Sequence, residues 1–416
     1  MQTAPSHPRG TVAQIVLAIL GMVIYGVAGV FFLISTFSTT GAQPTFSEQV
    51  TSLSLALTAF TALLMMIPSL VLATRPIQLT PRARINKSLL IAAALGMVIW
   101  GGVIYLGNSF AQDSSKTLLL SLLQVFAAGL PLSFIFLFAS RGLSAGSEQR
   151  RWGIFNFSLS VTPLVILILE SIVLIVFGII ILFSLLLQPG VMNNTQSFLN
   201  DLQSLTTNPS FNNPLVTQLG QSSGVLIGLL LMVAFVIPLL EEIMKPLGLM
   251  VLARRKPNPS QGFVTGMICG AGFAFLETSG SLAGTLGTDW TVLAITRLGT
   301  DLLHITASGL VGWGLASFIT LKKPGRFWMA YLSAAALHGT WNGFAILMGY
   351  FPMMTGTIKP NLQVASWLGK IAPFVLVAIT LGLVAILTFM NRKLRSEAAI
   401  PPSIPPPPAI EPPPLP

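Results

Sequence analysis

Charge is scarce in this chain. Of 416 residues, 22 are Lys or Arg and 12 are Asp or Glu, so 8% are charged while 53% are hydrophobic. A soluble domain of this size carries far more polar surface. Short alternating segments of about ten residues, which a membrane β-barrel requires, are also missing. The apolar runs are instead continuous and near 20 residues, the length of a helix that crosses a bilayer. Cysteine is nearly absent, and the single Cys269 excludes an internal disulfide and a cysteine zinc cage. Histidine occurs three times. The net charge of +10 does not argue for nucleic acid as a partner. The bases cluster in short loops between apolar runs, as the positive-inside rule expects.

What is present is a polytopic all-α pattern. Ten apolar runs lie at about 12–36, 51–73, 88–109, 116–140, 159–187, 224–252, 262–285, 293–320, 327–349 and 366–391. Bases fill alternate loops: Arg75, Arg82, Arg84 and Lys87; Arg141, Arg150 and Arg151; Arg254, Arg255 and Lys256; Lys322, Lys323 and Arg326; Arg392, Lys393 and Arg395. The intervening loops carry Glu48, Asp113, Asp201 and Asp289. That asymmetry predicts cytoplasmic termini, and the setting expected for this multi-pass protein is a prokaryotic-type plasma membrane. The run from Val12 to Phe37 is too long for a signal-peptide core and reads as the first anchor. Residues 188–223 hold no base and are expected outside the cytoplasm, as a plain connector or a loosely ordered cap. From Pro401 the chain is proline-rich, which predicts an exposed polyproline II tail. The organisation expected is a four-span accessory region at 1–158, a helical core at 159–396 and a tail at 397–416.

The first four runs contain no acidic residue and no histidine. The later ones accumulate them, although each ionisable group at bilayer depth costs about 2.5–3.5 kcal/mol on insertion scales. Glu241 and Glu242 are adjacent in the sixth run, Glu277 lies in the seventh, His304 in the eighth and His338 in the ninth. With a rise of about 1.5 Å per residue, Glu242, Glu277, His304 and His338 all fall about 16–24 Å from one membrane face. Four helices of alternating direction therefore bring their polar groups to one slab near the midplane, where ionisable groups mark function.

Local spacing adds detail. Glu241 and Lys245 are i, i+4, so one carboxylate is expected to pair with Lys245 and the other to face a pocket. Arg297, Asp301, His304 and Ser308 share a helix face, and Asp301 is expected to orient the His304 ring. The same stripe also reads as polar glue between helices. His338 and Asn342 are i, i+4. Gly262, Gly266 and Gly270 permit close helix approach, expected to bring Glu277 toward Glu242. Pro238 and Pro246 bracket the carboxylates and predict a broken helix. Glu170, in the fifth run, has no motif around it.

These residues resemble the PrsW family of intramembrane proteases, related to the CAAX-processing and bacteriocin-protection proteases. The matching elements are Glu241-Glu242-Ile-Met-Lys245, Phe273-Ala-Phe-Leu-Glu277, His304 and His338-Gly-Thr-Trp-Asn342, in the family's order over about 224–350. Ser281 stands where the second motif often has tyrosine, and the N-terminal spans lie outside the resemblance. The resemblance implies hydrolysis of a peptide bond in a membrane-anchored protein, such as an anti-sigma factor, within the lipid bilayer.

The catalytic candidates are Glu241, Glu242, Glu277, His304, His338 and Asn342, supported by Lys245 and Asp301. A glutamate can act as general base on water, with His338 and Asn342 donating to the oxyanion. Alternatively Glu242, Glu277, His304 and His338 can hold a divalent metal, for which zinc suits the ligand types. Spacing does not choose between a metal-free and a metal-dependent reaction. A proton- or cation-coupled transporter and a non-catalytic scaffold are the rival readings. The absence of an internal repeat counts against the transporter.

Overall fold

A computed structural model describes residues 8–38, 44–75, 87–144, 146–186, 219–252, 257–352 and 358–399, with isolated positions between 196 and 204. Among them there is no strand. The helices are α1 (Pro8–Phe37), α2 (Phe46–Ala73), α3 (Lys87–Ser109), α4 (Thr117–Ser140), α5 (Glu148–Leu186), α6 (Ser223–Leu231), α7 (Ile237–Met244), α8 (Leu247–Leu252), α9 (Pro259–Ala283), α10 (Gly287–Leu321), α11 (Pro324–Tyr350) and α12 (Gln363–Ala399). Among the described residues nine segments are long and apolar enough to cross a membrane, with α6 to α8 forming one of them. The 27-residue α11 is the remaining long helix. The all-α reading thus holds, and the helices stand at the expected positions. Because α5 starts at Glu148, the boundary drawn near 158 falls inside a continuous helix. The proline-rich tail and most of the 188–223 connector lie outside the described residues.

Local chemistry sets several helix ends. Asn258 caps α9 by accepting from the Gln261 N–H at 2.8 Å, the Gln261 side chain accepts in return from the Asn258 N–H, and Pro259 opens the helix. At the other end of α10, Lys322 sits at φ 56, in the left-handed region. With Lys323 as N-cap and Pro324 as the first helical residue, the chain turns sharply into α11.

Prolines inside the spans leave backbone carbonyls without their helical donors, and lipid supplies none. Side chains from neighbouring helices answer them. Pro131 leaves Ala127 O open, and Trp100 Nε1 of α3 donates to it at 3.0 Å. Pro163 does the same to Leu159 O, which accepts from the Tyr25 hydroxyl of α1. In the sixth span one turn of π-helix at Met232–Val236 carries the bond from Ile237 N–H to Met232 O. In that register the N–H missing at Pro238 would have reached Val233 O. Asn342 Nδ2 of α11 donates to Val233 O instead, at 3.1 Å. The predicted break therefore exists, and its cause is the π-turn with Pro238 on one side and Pro246 on the other.

The tightest packing is between α9 and α10. A Cβ at Gly270, Gly266 or Gly262 would collide with the carbonyl of His304, Ser308 or Gly312 respectively. The glycine ladder thus seats α9 on α10. What it delivers is Glu277 beside His304.

Candidate active site

Glu241 and Glu242 stand on the short α7, held between the π-turn and the Lys245-Pro246 break. Tyr331 of α11 donates to Leu239 O at 2.9 Å, and Gly339 sits against Ala234 O, where any Cβ would collide. These contacts clamp α11 onto the broken span and bring His338 to the carboxylates.

The centre of the site is the Lys245 ammonium, which is fully buried. It lies 2.8 Å from Glu241 Oε2, 2.6 Å from Glu242 Oε1 and 2.8 Å from His304 Nδ1. Its three N–H donors thus meet three acceptors. The expectation that only one carboxylate pairs with Lys245 is corrected, because the lysine stem reaches across to both. Its ammonium also lies 4.6 Å from the centre of the Phe273 ring, a cation–π contact. Glu242 Oε1 lies 2.9 Å from His338 Nδ1 as well, while Glu242 Oε2 is buried without a hydrogen-bond partner.

An ammonium only donates, so His304 Nδ1 accepts, and a neutral ring then carries its proton on Nε2. That nitrogen faces Glu277 Oε2 at 2.6 Å. Glu277 Oε1 takes Arg297 Nη1 at 3.0 Å. The two histidine rings meet edge to face, with centroids 5.0 Å apart. Glu277 is the most open member, its side chain 37% exposed against 0–8% for Glu241, Glu242, His304 and His338.

The sequence-predicted residues therefore separate. Glu241, Glu242, Lys245, Glu277, His304 and His338 converge. Asp301 does not reach His304, whose two ring nitrogens are taken by Lys245 and Glu277. Asp301 Oδ1 accepts from Thr278 Oγ1 at 2.6 Å, and Arg297 Nε donates to that hydroxyl at 2.9 Å. The orienting role expected for Asp301 is corrected to bracing of the Arg297–Glu277 pair. Asn342 is likewise used up at Val233 O rather than aimed at an oxyanion.

Sequence reasoning set Glu170 aside; it is half-buried on α5, a helix that packs against α7. Only its acidity inside an apolar run was available to mark it. A separate cavity of about 470 Å³, lined by Leu132, Phe136, Phe155, Ile268 and Phe275 among others, contains none of these site residues.

Among the described residues, Glu241, Glu242, His304 and His338 each offer a ligand atom, and these atoms lie within 4.8 Å of one another. Two carboxylates and two imidazoles suit zinc, and the unpartnered Glu242 Oε2 is a free buried donor. The group therefore fits a divalent metal. It differs from the set expected from sequence in having Glu241 in place of Glu277, because Arg297 and His304 occupy both Glu277 oxygens.

Fold and site together define a multi-pass membrane protein with a buried glutamate–histidine centre. Residues 172–377 match the family described as PrsW family intramembrane metalloprotease, and the chain belongs to that family. It is accordingly a peptidase, working on a membrane-embedded substrate among lipids. No curated protein and no solved structure matches the chain.

Proposed function

We propose that this chain hydrolyses a peptide bond of a membrane-anchored protein at the Glu241, Glu242, His304 and His338 centre. The observation that supports this is the convergence of two carboxylates and two imidazoles from α7, α10 and α11 around a buried ammonium. Glu242 Oε2 is the free basic atom. It takes a proton from water as the water oxygen attacks the peptide carbonyl carbon, then passes that proton to the amine as the C–N bond breaks. A positioned base of this kind contributes about 10²–10⁴-fold. Lys245 opposes the negative charge that develops on the carbonyl oxygen, a placement worth more where water is excluded. His338 and Lys245 hold Glu242 through Oε1, Lys245 holds Glu241 through Oε2, and Glu277 holds His304. A bound divalent metal, held by Glu241, Glu242, His304 and His338, would supply Lewis acidity to the same water. The peptide enters on the Glu277 side, where the site is most open.

The substrate class we assign is a single-span regulator of the anti-sigma-factor kind, and the setting a plasma membrane with both termini cytoplasmic. The test is cleavage of candidate single-span proteins by the purified chain in liposomes, with metal content measured on the same sample. Cleavage that persists in Glu242→Gln would exclude this centre. For orientation, a cysteine near Asn200 is expected to label from outside intact cells and one near Arg255 is not. The reverse pattern would overturn the topology.

A further inference from the structure

We propose that the cavity between α4, α5 and α9 binds one anionic phospholipid, with an acyl chain inside and the headgroup phosphate on Arg151. This site is separate from the peptidase centre, since none of its lining residues belongs to that centre. The cavity measures about 470 Å³, within the roughly 300–1,000 Å³ usual for small-molecule sites. Its wall is apolar: Leu132 and Phe136 of α4, Phe155 of α5, Ile268 and Phe275 of α9. From Leu137 to Gly129, which both line it, α4 follows the cavity over about 12 Å. Ser133 and Glu148 also line it and are exposed, so it opens to the surroundings. Space of this size between packed helices takes atoms from those surroundings, and in a bilayer they are acyl chains.

The charged end decides the kind of lipid. Glu148, Arg151 and Trp152 line the cavity from the first two turns of α5. Arg141 and Arg150 gather at the same end of the bundle, the end we place at the cytoplasm. Arg151 Nη2 donates to Glu148 Oε1 at 3.2 Å, but Arg151 Nε is buried with no hydrogen-bond partner. A buried donor left unpaired is costly and calls for a partner. The Glu148 side chain is 57% exposed, so its ion pair with Arg151 is weak and screened. A phosphate supplies the partner, because its oxygens match the forked N–H groups of a guanidinium. The ring of Trp152 has the amphipathic character found at headgroup depth. Anionic lipid is also enriched in the cytoplasmic leaflet, where bases attract it.

The test is thermal unfolding of the full chain in neutral detergent, titrated with phosphatidylglycerol, phosphatidylcholine or inorganic phosphate. A ligand of the folded state raises the midpoint temperature with its concentration, which gives its affinity. Phosphatidylglycerol is expected to bind about 5-fold more tightly than either of the others, or better. Arg151→Gln should weaken phosphatidylglycerol about 5-fold, the share of one base near an anionic surface. Ser133→Phe, which fills the cavity, should abolish the shift. Lys323→Gln removes an exposed base between α10 and α11 and should change nothing. Ser133 is exposed and Arg151 half-buried, so both variants are expected to fold, and if one does not purify the other decides. Equal shifts from phosphatidylcholine or from phosphate alone would overturn the proposal. So would wild-type affinity in Arg151→Gln or Ser133→Phe, or an equal loss in Lys323→Gln, which would show only general surface attraction. A neutral single-span peptide that raises the midpoint where phosphatidylglycerol does not would assign the cavity to a protein partner and overturn it as well.

Discussion

The first four spans and the α9–α10 pair are built from the same apolar alphabet but for different neighbours. In α1 to α4, 11–44% of the most apolar stretch is buried in protein, whereas in α9 and α10 the figure is 83%. The buried pair is also the less hydropathic one, and α11, which carries His338, does not reach the apolarity of a span at all. A helix facing lipid must be apolar on its whole outer surface. One enclosed by other helices can hold glycine ladders, hydroxyls and ion pairs. Low hydropathy in a membrane bundle thus points to its interior, and the polar centre lies there.

The comparison breaks hardest at Lys245. Lys245→Met would leave two buried carboxylates with no ammonium between them. Removing one partner of a buried pair costs about 3–5 kcal/mol, so the variant should unfold at lower temperature and cleave nothing. A melting temperature like wild type would mean that the charges separate freely, and the enclosed centre described here would be wrong.

Glu242→Gln and His304→Ala come next. Each should lower cleavage on the order of 10²–10⁴-fold, the contribution of a positioned acid–base group, while the protein still inserts and purifies as a single species. If either keeps wild-type cleavage in liposomes, that residue leaves the chemistry.

The glycine ladder sharpens the contrast between regions. Gly270→Ala is expected to cost about 1–3 kcal/mol by overpacking against the His304 carbonyl. The same change at Gly101 of α3, where nothing lies within 4 Å, should cost little. Equal losses at the two positions, measured by thermal unfolding, would remove the distinction.

The smallest effects are expected where the two regions share a device. Tyr25→Phe in α1 and Asn342→Leu in α11 each strip the donor from a proline-freed carbonyl, worth about 1–3 kcal/mol when the acceptor stays buried. Only Asn342→Leu should also reduce cleavage strongly, because its carbonyl lies in the turn that presents Glu241 and Glu242. A larger activity loss in Tyr25→Phe would make the N-terminal spans the tighter support of the site.

Much of this was legible in the sequence, for physical reasons. Hydrocarbon admits little besides continuous apolar helices, so length and hydropathy determined the all-α bundle and the place of its spans. The expense of burying charge made each acidic residue and histidine conspicuous, and the fixed rise of a helix placed Glu242, Glu277, His304 and His338 in one slab. Which of them touch was a matter for tertiary structure alone. Helical spacing relates residues on one helix and is silent on the rotation of one helix against another. For that reason Asp301, one turn from His304, was expected beside the ring and is found on Thr278. Asn342 was expected at an oxyanion and is found closing the gap at Pro238. Backbone carbonyls opened by proline recruit whichever polar side chain lies opposite, and only the packed bundle decides what lies opposite.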